Sequence, residues 1–139
     1  MKSLKRLIRL HKTELDQRRI VLGVIERRRA EIVASLAALE REYAKECALV
    51  ERSLDAAAMF PRYAEVVRQR RGAFEAAIAD VDREITIARD AVLAAFAELK
   101  RYELTAERKL AEARREGLRI EQTRQDELGL GMFRRRNTP

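Results

Sequence analysis

The sequence has 139 residues, of which 38% are charged and 5% aromatic, and tryptophan is absent. Hydrophobic residues make up 47%, but many of them are alanine, and glycine and internal proline are scarce. This composition argues against a large globular core and against sheets, and it is typical of long helices joined along narrow apolar seams. We therefore predict an all-α fold in a single domain that covers residues 1–139.

The net charge of +7 comes from 30 basic and 23 acidic side chains, and 24 of the basic residues are arginine. It favours an acidic partner such as nucleic acid, anionic lipid or an acidic protein surface, although a solvated helix face explains any single run equally well. The one cysteine excludes a disulfide framework within the chain and indicates a reducing cytosol. No apolar segment follows the basic start, so neither a signal peptide nor a membrane span is expected.

The first predicted helix, arm one, covers about residues 3–58 and keeps one heptad register for about seven heptads. Its seam positions are Leu4, Ile8, His11, Leu15, Arg18, Leu22, Ile25, Arg29, Ile32, Leu36, Leu39, Tyr43, Glu46, Val50 and Ser53. We interpret His11 as a seam residue, because no second histidine exists to complete a metal site. Arg29 either fixes the register or extends outward, and Cys47 beside the seam is expected to pack and not to react.

Between the two arms lies Met59–Pro61, where we place the tip of an antiparallel coiled-coil hairpin. Proline lacks a backbone N–H and clashes with the preceding turn, and it pushes Phe60 away from helical geometry. Folding back about residue 59 would bring Leu4 near Ala113. The alternative is a generic coiled-coil scaffold or dimer in which Pro61 only kinks one long helix.

Arm two covers about residues 61–128, and small side chains in its seam allow a close approach of the two helices. Its seam positions are Val67, Arg71, Phe74, Ile78, Val81, Ile85, Ala88, Val92, Ala95, Leu99, Tyr102, Ala106, Lys109, Ala113 and Ile120. Residues 116–128 are expected to extend beyond arm one as a single helix or to meet a partner. Gly129 and Gly131 are predicted to end the helix and to leave a flexible tail at 129–139. Leu93 and Phe96 miss the seam, and they form either a docking patch, the seam of a second hairpin or ordinary packing.

Charge is distributed unevenly along the sequence. Residues 1–29 carry a net +7 and residues 108–139 a net +4, whereas residues 40–55 carry −2. The predicted fold-back brings both basic segments to one end, where they would steer association with an acidic pocket or channel. A basic nucleic-acid-binding coiled coil is the alternative, but the arginines are spread around the helices among acidic residues, and stacking aromatics are few.

No catalytic, cofactor-binding or metal-binding motif is present in the sequence. It lacks a phosphate-binding loop, a dinucleotide-binding glycine pattern, paired zinc-ligand histidines and a C-x-x-C pair. A two-helix fold also offers no enclosed pocket in which carboxylates could be tuned for acid–base catalysis. We therefore predict a non-enzymatic protein without cofactors.

Several motifs occur at the two ends of the sequence. It begins MKSLKRLIRLHK and continues with DQRR at residues 16–19, and near its close it has EARRE at 112–116, QDEL at 125–128 and RR at 134–135. In this order and at this length, the motifs resemble the FliJ family of flagellar export proteins over essentially the whole chain. The YscO-type stalks of injectisomes are the nearest similar family. The Gly-Leu-Gly at residues 129–131 departs from the usual helical ending of FliJ proteins.

The resemblance implies a cytoplasmic stalk of the flagellar type III export apparatus, peripheral at the inner membrane. In that family the joined termini enter the pore of the export ATPase hexamer, and the stalk links this ring to the membrane export gate and handles export chaperones. Carried over by position, the ATPase-binding residues are Lys5, Arg6, Arg9, Lys12, Arg119, Arg124, Arg134 and Arg135. The export-gate surface corresponds to Tyr43, Phe74, Ile78, Val81 and Ile85, which the heptad register places in the seam. Neither nucleic-acid binding nor insertion into the membrane is expected.

Overall fold

The computed structural model describes residues 2–138, and two helices account for nearly all of them. Helix α1 is Lys2–Val50 and helix α2 is Leu54–Asn137, and the described residues include no strand. The helices pack against each other in antiparallel orientation, with Arg28 contacting Glu84 and Glu40 contacting Arg71. The predicted all-α helical hairpin is therefore confirmed.

The hairpin divides into two compact units. The turn unit is Thr13–Phe96 and contains most of α1, the connection between the helices and the first half of α2. The terminal unit combines α1 up to Lys12 with α2 from Ala97 onward. Each unit thus contains a segment of both helices, and the single-domain organisation stays a prediction.

The buried side chains confirm the predicted seam. In the turn unit they are Leu15, Leu39, Val67, Val81, Ile85 and Ala88, and in the terminal unit they are Leu4 and Leu99. All eight occupy predicted seam positions, and the remaining seam residues are mostly half-buried. Burying one aliphatic side chain contributes roughly 1.5–3 kcal/mol, so this single narrow seam is the main apolar contribution to the fold.

The connection between the helices consists of residues 51–53, so the predicted tip at Met59–Pro61 is wrong. The N–H groups of Arg52 and Ser53 both donate to the Leu49 carbonyl, at 3.0 and 3.1 Å. The Ser53 hydroxyl oxygen accepts from the N–H of Ala56 at 3.3 Å and caps the start of α2. Asp55 in the first turn adds a favourable charge at the positive end of the helix.

Pro61 lies inside α2, seven residues after its first residue. The proline removes one backbone hydrogen bond, but its neighbours stabilise the helical conformation across the hairpin. The Tyr43 ring of α1 lies 5.9 Å from the ring of Phe60 and 6.4 Å from that of Tyr63, measured between centroids. This packing of aromatic rings explains why helix α2 starts before the proline and continues through it, and why the helix bounds differ from those predicted for the arms.

Helix α2 also continues through Gly129 and Gly131 to Asn137, so the prediction that these glycines end the helix is wrong. A glycine cap requires a left-handed backbone conformation, and no residue among 2–138 has a positive φ. Glycine in a right-handed conformation lowers helix propensity without ending the helix. The hydroxyl of Thr138 donates to the Arg134 carbonyl at 2.6 Å and closes the last turn.

Candidate functional site

The positive charge of the chain belongs to the terminal unit. That unit has 16 basic and eight acidic side chains, a net +8, whereas the turn unit has 14 basic and 15 acidic side chains, a net −1. The uneven distribution of charge that the sequence predicts is therefore present in the folded units. A surface of this kind attracts acidic partners to the terminal unit and not to the turn unit.

A ring stack fixes the pairing of the two helices in the terminal unit. His11 stacks on Tyr102 with 4.6 Å between the ring centroids, whereas a fold-back about residue 59 would have paired His11 with residue 107. Counting along both helices from this stack, Lys5 lies at about the level of residue 108, and Lys2 at about the level of residue 111. Residues 107–130 of α2 are all exposed, so the single-helix segment begins earlier than predicted.

Four of the predicted ATPase-binding residues form one basic face at the start of α1. Lys5, Arg9 and Lys12 recur at spacings of four and three residues, which places them on one side of the helix, and Arg6 flanks them. All four side chains are exposed. We call these residues the basic face.

The other four predicted residues do not join the basic face. Beyond the level of Lys2, Arg119 and Arg124 lie about 12 and 20 Å along α2, and Arg134 and Arg135 about 35 Å, from a rise of about 1.5 Å per residue. The structure therefore separates the eight residues into three groups. They cannot bind as one compact patch.

Arg119 is held by a carboxylate of its own helix. Its Nε and Nη2 atoms donate to the carboxylate oxygens of Glu116 at 3.2 and 2.6 Å. These hydrogen bonds lower the pKa of the Glu116 carboxyl and raise the pKa of the Arg119 guanidinium. The pair reduces the net charge that Arg119 presents.

Two basic residues of α2 were missed by the sequence prediction. Arg108 and Lys109 are exposed and lie at about the level of Lys5, so they extend the positive surface beside the basic face. The signal that would have found them is the pairing register of the helices. A fold-back about residue 59 would also have placed Lys109 beside the basic face, at the level of Arg9, so the position of the turn does not account for the omission.

The predicted export-gate residues belong to the core of the turn unit. Val81 and Ile85 are buried, and Tyr43, Phe74 and Ile78 are half-buried. This agrees with their seam positions in the heptad register. They do not form a continuous exposed surface.

Four salt bridges join α1 to α2 in the turn unit. The pairs are Arg71–Glu40, Arg29–Asp82, Arg28–Glu84 and Arg89–Glu26. Hydrogen bonds from Arg71 lower the pKa of the Glu40 carboxyl, and the same bonds raise the pKa of Arg71. Half-buried Arg29 donates from its Nε to Asp82 of α2 at 2.6 Å, a contact that is compatible with both roles predicted for it.

An aromatic cluster of the turn unit surrounds Tyr43. The guanidinium carbon of Arg71 lies 5.6 Å from the centre of the Tyr43 ring. The pKa of the Tyr43 phenol is raised mainly by a hydrogen bond with half-buried Cys47. The pKa of the Tyr63 phenol is raised mainly by burial. Arg71 contacts Tyr43 across the two helices, whereas Tyr43 and Cys47 both lie on α1, one helical turn apart, and half-buried Cys47 fits its predicted packing role.

Neither a metal-binding cluster nor a membrane-spanning stretch occurs among residues 2–138. No group of three or more histidine, cysteine, aspartate or glutamate side chains is arranged to hold a metal ion. Neither helix of this described part has a stretch long and apolar enough to cross a membrane. Leu93 and Phe96, which miss the seam, are both exposed on α2.

Comparison with known proteins gives one match. The family model described as "Flagellar FliJ protein" matches residues 1–138, which is essentially the whole sequence. Searches for similar curated proteins and for similar solved structures gave no match.

Proposed function

The chain belongs to the FliJ family and is a protein of the flagellar export apparatus, and we propose that it couples the hexameric export ATPase to the export gate without being an enzyme itself. It acts in the cytoplasm, peripheral to the inner membrane, and it assists the export chaperones. This proposal extends the family assignment to specific partners. It rests on the resemblance and on the charge and exposure of particular residues.

The observation that carries the proposal is the difference in charge between the units. A net +8 on the terminal unit against −1 on the turn unit gives one unit a strong attraction for acidic surfaces. The pore of a ring-shaped ATPase that is lined by carboxylates would have the complementary charge. Attraction of this kind raises association rates and depends on ionic strength.

In this proposal the basic face binds the ATPase ring first. Arg119 and Arg124, on the exposed single-helix segment of α2, contact a different level of the same pore. Their separation of about 12 and 20 Å from the level of Lys2 suits an elongated channel better than a flat patch. Arg134 and Arg135 lie farther along the helix, next to the exposed apolar side chains of Met132 and Phe133.

Contact with the export gate would use the turn unit. Tyr43, Phe74 and Ile78 each keep part of the side chain exposed, so their edges are accessible to a partner. Val81 and Ile85 are buried and would support these edges from beneath. Separate units for the ring and for the gate would allow one chain to bind both partners.

Charge reversal of the basic face tests the ATPase contact. We expect Arg6→Glu together with Arg9→Glu to weaken binding to the purified export ATPase by about tenfold or more, because attraction becomes repulsion. Arg41→Glu together with Arg62→Glu is the matched control, since both arginines are exposed in the turn unit. Binding is measured by fluorescence anisotropy at two salt concentrations, and helix content by circular dichroism.

Equal binding by the two double variants, with helix content retained, would count against the ATPase contact. Loss of helix content in the Arg6/Arg9 variant alone would make that variant unsuitable, and Lys5→Gln with Lys12→Gln would then replace it. Binding to single- or double-stranded oligonucleotides that falls linearly in log affinity with log salt would instead favour the nucleic-acid alternative. Association with neither partner would favour a generic coiled-coil scaffold.

A further inference from the structure

The end of helix α2 combines exposed apolar side chains with a run of positive charge. Residues 128–137, which we call the terminal segment, contain Leu128, Leu130, Met132 and Phe133, followed by three consecutive arginines. The last acidic residue of the sequence is Glu127, so every charged side chain after it is basic. This composition differs from that of residues 97–127 of α2, where acidic and basic residues are interspersed.

The apolar side chains of the terminal segment are uncovered. Leu128, Leu130, Met132 and Phe133 are 60%, 58%, 68% and 63% exposed. Helix α1 pairs with α2 only to about the level of residue 111, which is some 17 residues before the segment begins. A soluble protein rarely keeps so many large apolar side chains together in water unless a partner covers them.

The helical arrangement places the arginines at the edges of an apolar face. At about 100° per residue, the four apolar side chains fall within an arc of roughly 200°, and Arg134 and Arg135 border its two edges. Arg136 points into the arc from the last turn, where its long stem can extend toward polar groups. An apolar face bordered by arginines is typical of helices that lie at the surface of an anionic membrane.

From this arrangement we propose that the terminal segment binds an anionic lipid surface. The apolar face inserts among the acyl chains near the headgroups, and the three arginines bind lipid phosphates. The segment lies on the membrane and does not cross it. The net +8 of the terminal unit adds long-range attraction to the negative surface.

A partner helix fits the segment less well than a lipid surface does. A coiled-coil partner needs an apolar seam that continues in one register, but three of the four preceding seam positions carry Glu116, Thr123 and Glu127, and only Ile120 is apolar. Nucleic acid would bind the arginines and leave the four apolar side chains in water. A lipid surface accommodates both kinds of side chain at once.

The two glycines make the helix of the terminal segment intrinsically weak. A Cβ atom at Gly129 or Gly131 would have no neighbour within 4 Å, so packing does not require glycine at either position. Both glycines lower intrinsic helix propensity in a segment with no tertiary contacts to stabilise it. Covering the apolar face would stabilise the helix at the place where its sequence is weakest.

Binding to vesicles tests the proposal with the full chain. We expect co-sedimentation with vesicles of 30% phosphatidylglycerol in phosphatidylcholine and not with pure phosphatidylcholine. Arg134→Glu with Arg135→Glu should lower the apparent affinity at least about tenfold, because both the attraction and the phosphate contacts are lost. The matched control is Arg114→Glu with Arg115→Glu, an equal charge change on exposed residues of the same unit, which should keep most of the binding.

Insertion is measured with a single tryptophan, since the natural sequence has none. The fluorescence of a Phe133→Trp variant should shift to the blue when phosphatidylglycerol vesicles are added. A Leu118→Trp variant, also exposed in the terminal unit, should not shift. Circular dichroism of each variant without vesicles shows whether the helix content is retained.

Three outcomes would overturn the proposal. They are equal binding to the two vesicle compositions, equal loss in the two arginine double variants, and no blue shift at position 133. Binding to oligonucleotides that depends on Arg134 and Arg135, with no vesicle binding, would assign the segment to nucleic acid. None of these outcomes bears on the ATPase contact, which is tested by Arg6 and Arg9.

Discussion

The turn unit and the terminal unit are built from the same two helices but differ in what stabilises them. The turn unit contains six of the eight buried side chains and four salt bridges between helices, with a net charge of −1. The terminal unit contains two buried side chains and a net charge of +8. Like charges repel in the terminal unit, so we infer that the turn unit supplies most of the stability and the terminal unit most of the recognition.

The largest expected effect is loss of stability from a cavity in the turn unit. Leu39→Ala should lower the free energy of unfolding by about 2–4 kcal/mol, because a buried side chain is lost from the seam. Leu118→Ala, an exposed leucine of the terminal unit, should change it by less than about 0.5 kcal/mol. Urea unfolding followed by circular dichroism measures both. Similar losses in the two variants would contradict the difference between the units.

The next effect concerns the position of the turn. Pro61→Ala should raise the free energy of unfolding by about 1–3 kcal/mol, because a helix-interior proline lacks one hydrogen bond and clashes with the preceding turn. Ser53→Ala should lower it by about 1 kcal/mol through loss of the helix cap. Thermal unfolding of both variants measures these changes. Destabilisation by Pro61→Ala would contradict the turn at residues 51–53 and would indicate that the chain turns at the proline.

The smallest effect is a dependence of stability on pH. The pKa of Glu40 is lowered in the folded chain, so its contribution is present above its ordinary value of 4.5 and is lost as pH falls through the folded pKa. Glu40→Gln should therefore flatten the decrease of melting temperature between pH 6 and pH 3. Glu116→Gln is the control, because the pKa of Glu116 is also lowered but its partner is on the same helix. An equal change in both variants would show that the contact between helices adds nothing to the acid dependence.

The seam of the hairpin could be predicted from the sequence because heptad periodicity is a local property that adds up over many turns. Leu15, Leu39 and Val81 lie in the core where the register places them. The turn could not be placed in the same way, because two local signals competed. The helix-breaking tendency of Pro61 indicates a turn at the proline, whereas Ser53, which the heptad register assigned to the seam of arm one, caps the start of α2. The packing of Phe60 on Tyr43 favours the helix that begins at the cap.

The candidate site was predictable in its charge and not in its geometry. Counting charges identified the basic segments, and the positions of Lys5 and Arg9 on one face follow from helical spacing alone. Which residues of α2 lie beside them depends on the pairing register, and hence on the turn. The error in the turn therefore placed residue 113 beside Lys5, where the structure has residue 108.

The short connection at residues 51–53 has a consequence for the order of folding. Tyr43 and Phe60 are separated by 17 residues in the sequence, whereas His11 and Tyr102 are separated by 91. Because the entropy lost on closing a loop grows with its length, contacts near the connection form first and each one shortens the loop that the next must close. At a synthesis rate of about 5–20 residues per second, His11 is added to the growing chain roughly 5–18 seconds before Tyr102. During that interval the start of α1 has no part of α2 to cover its apolar stripe, and once outside the ribosome it is open to cellular folding factors.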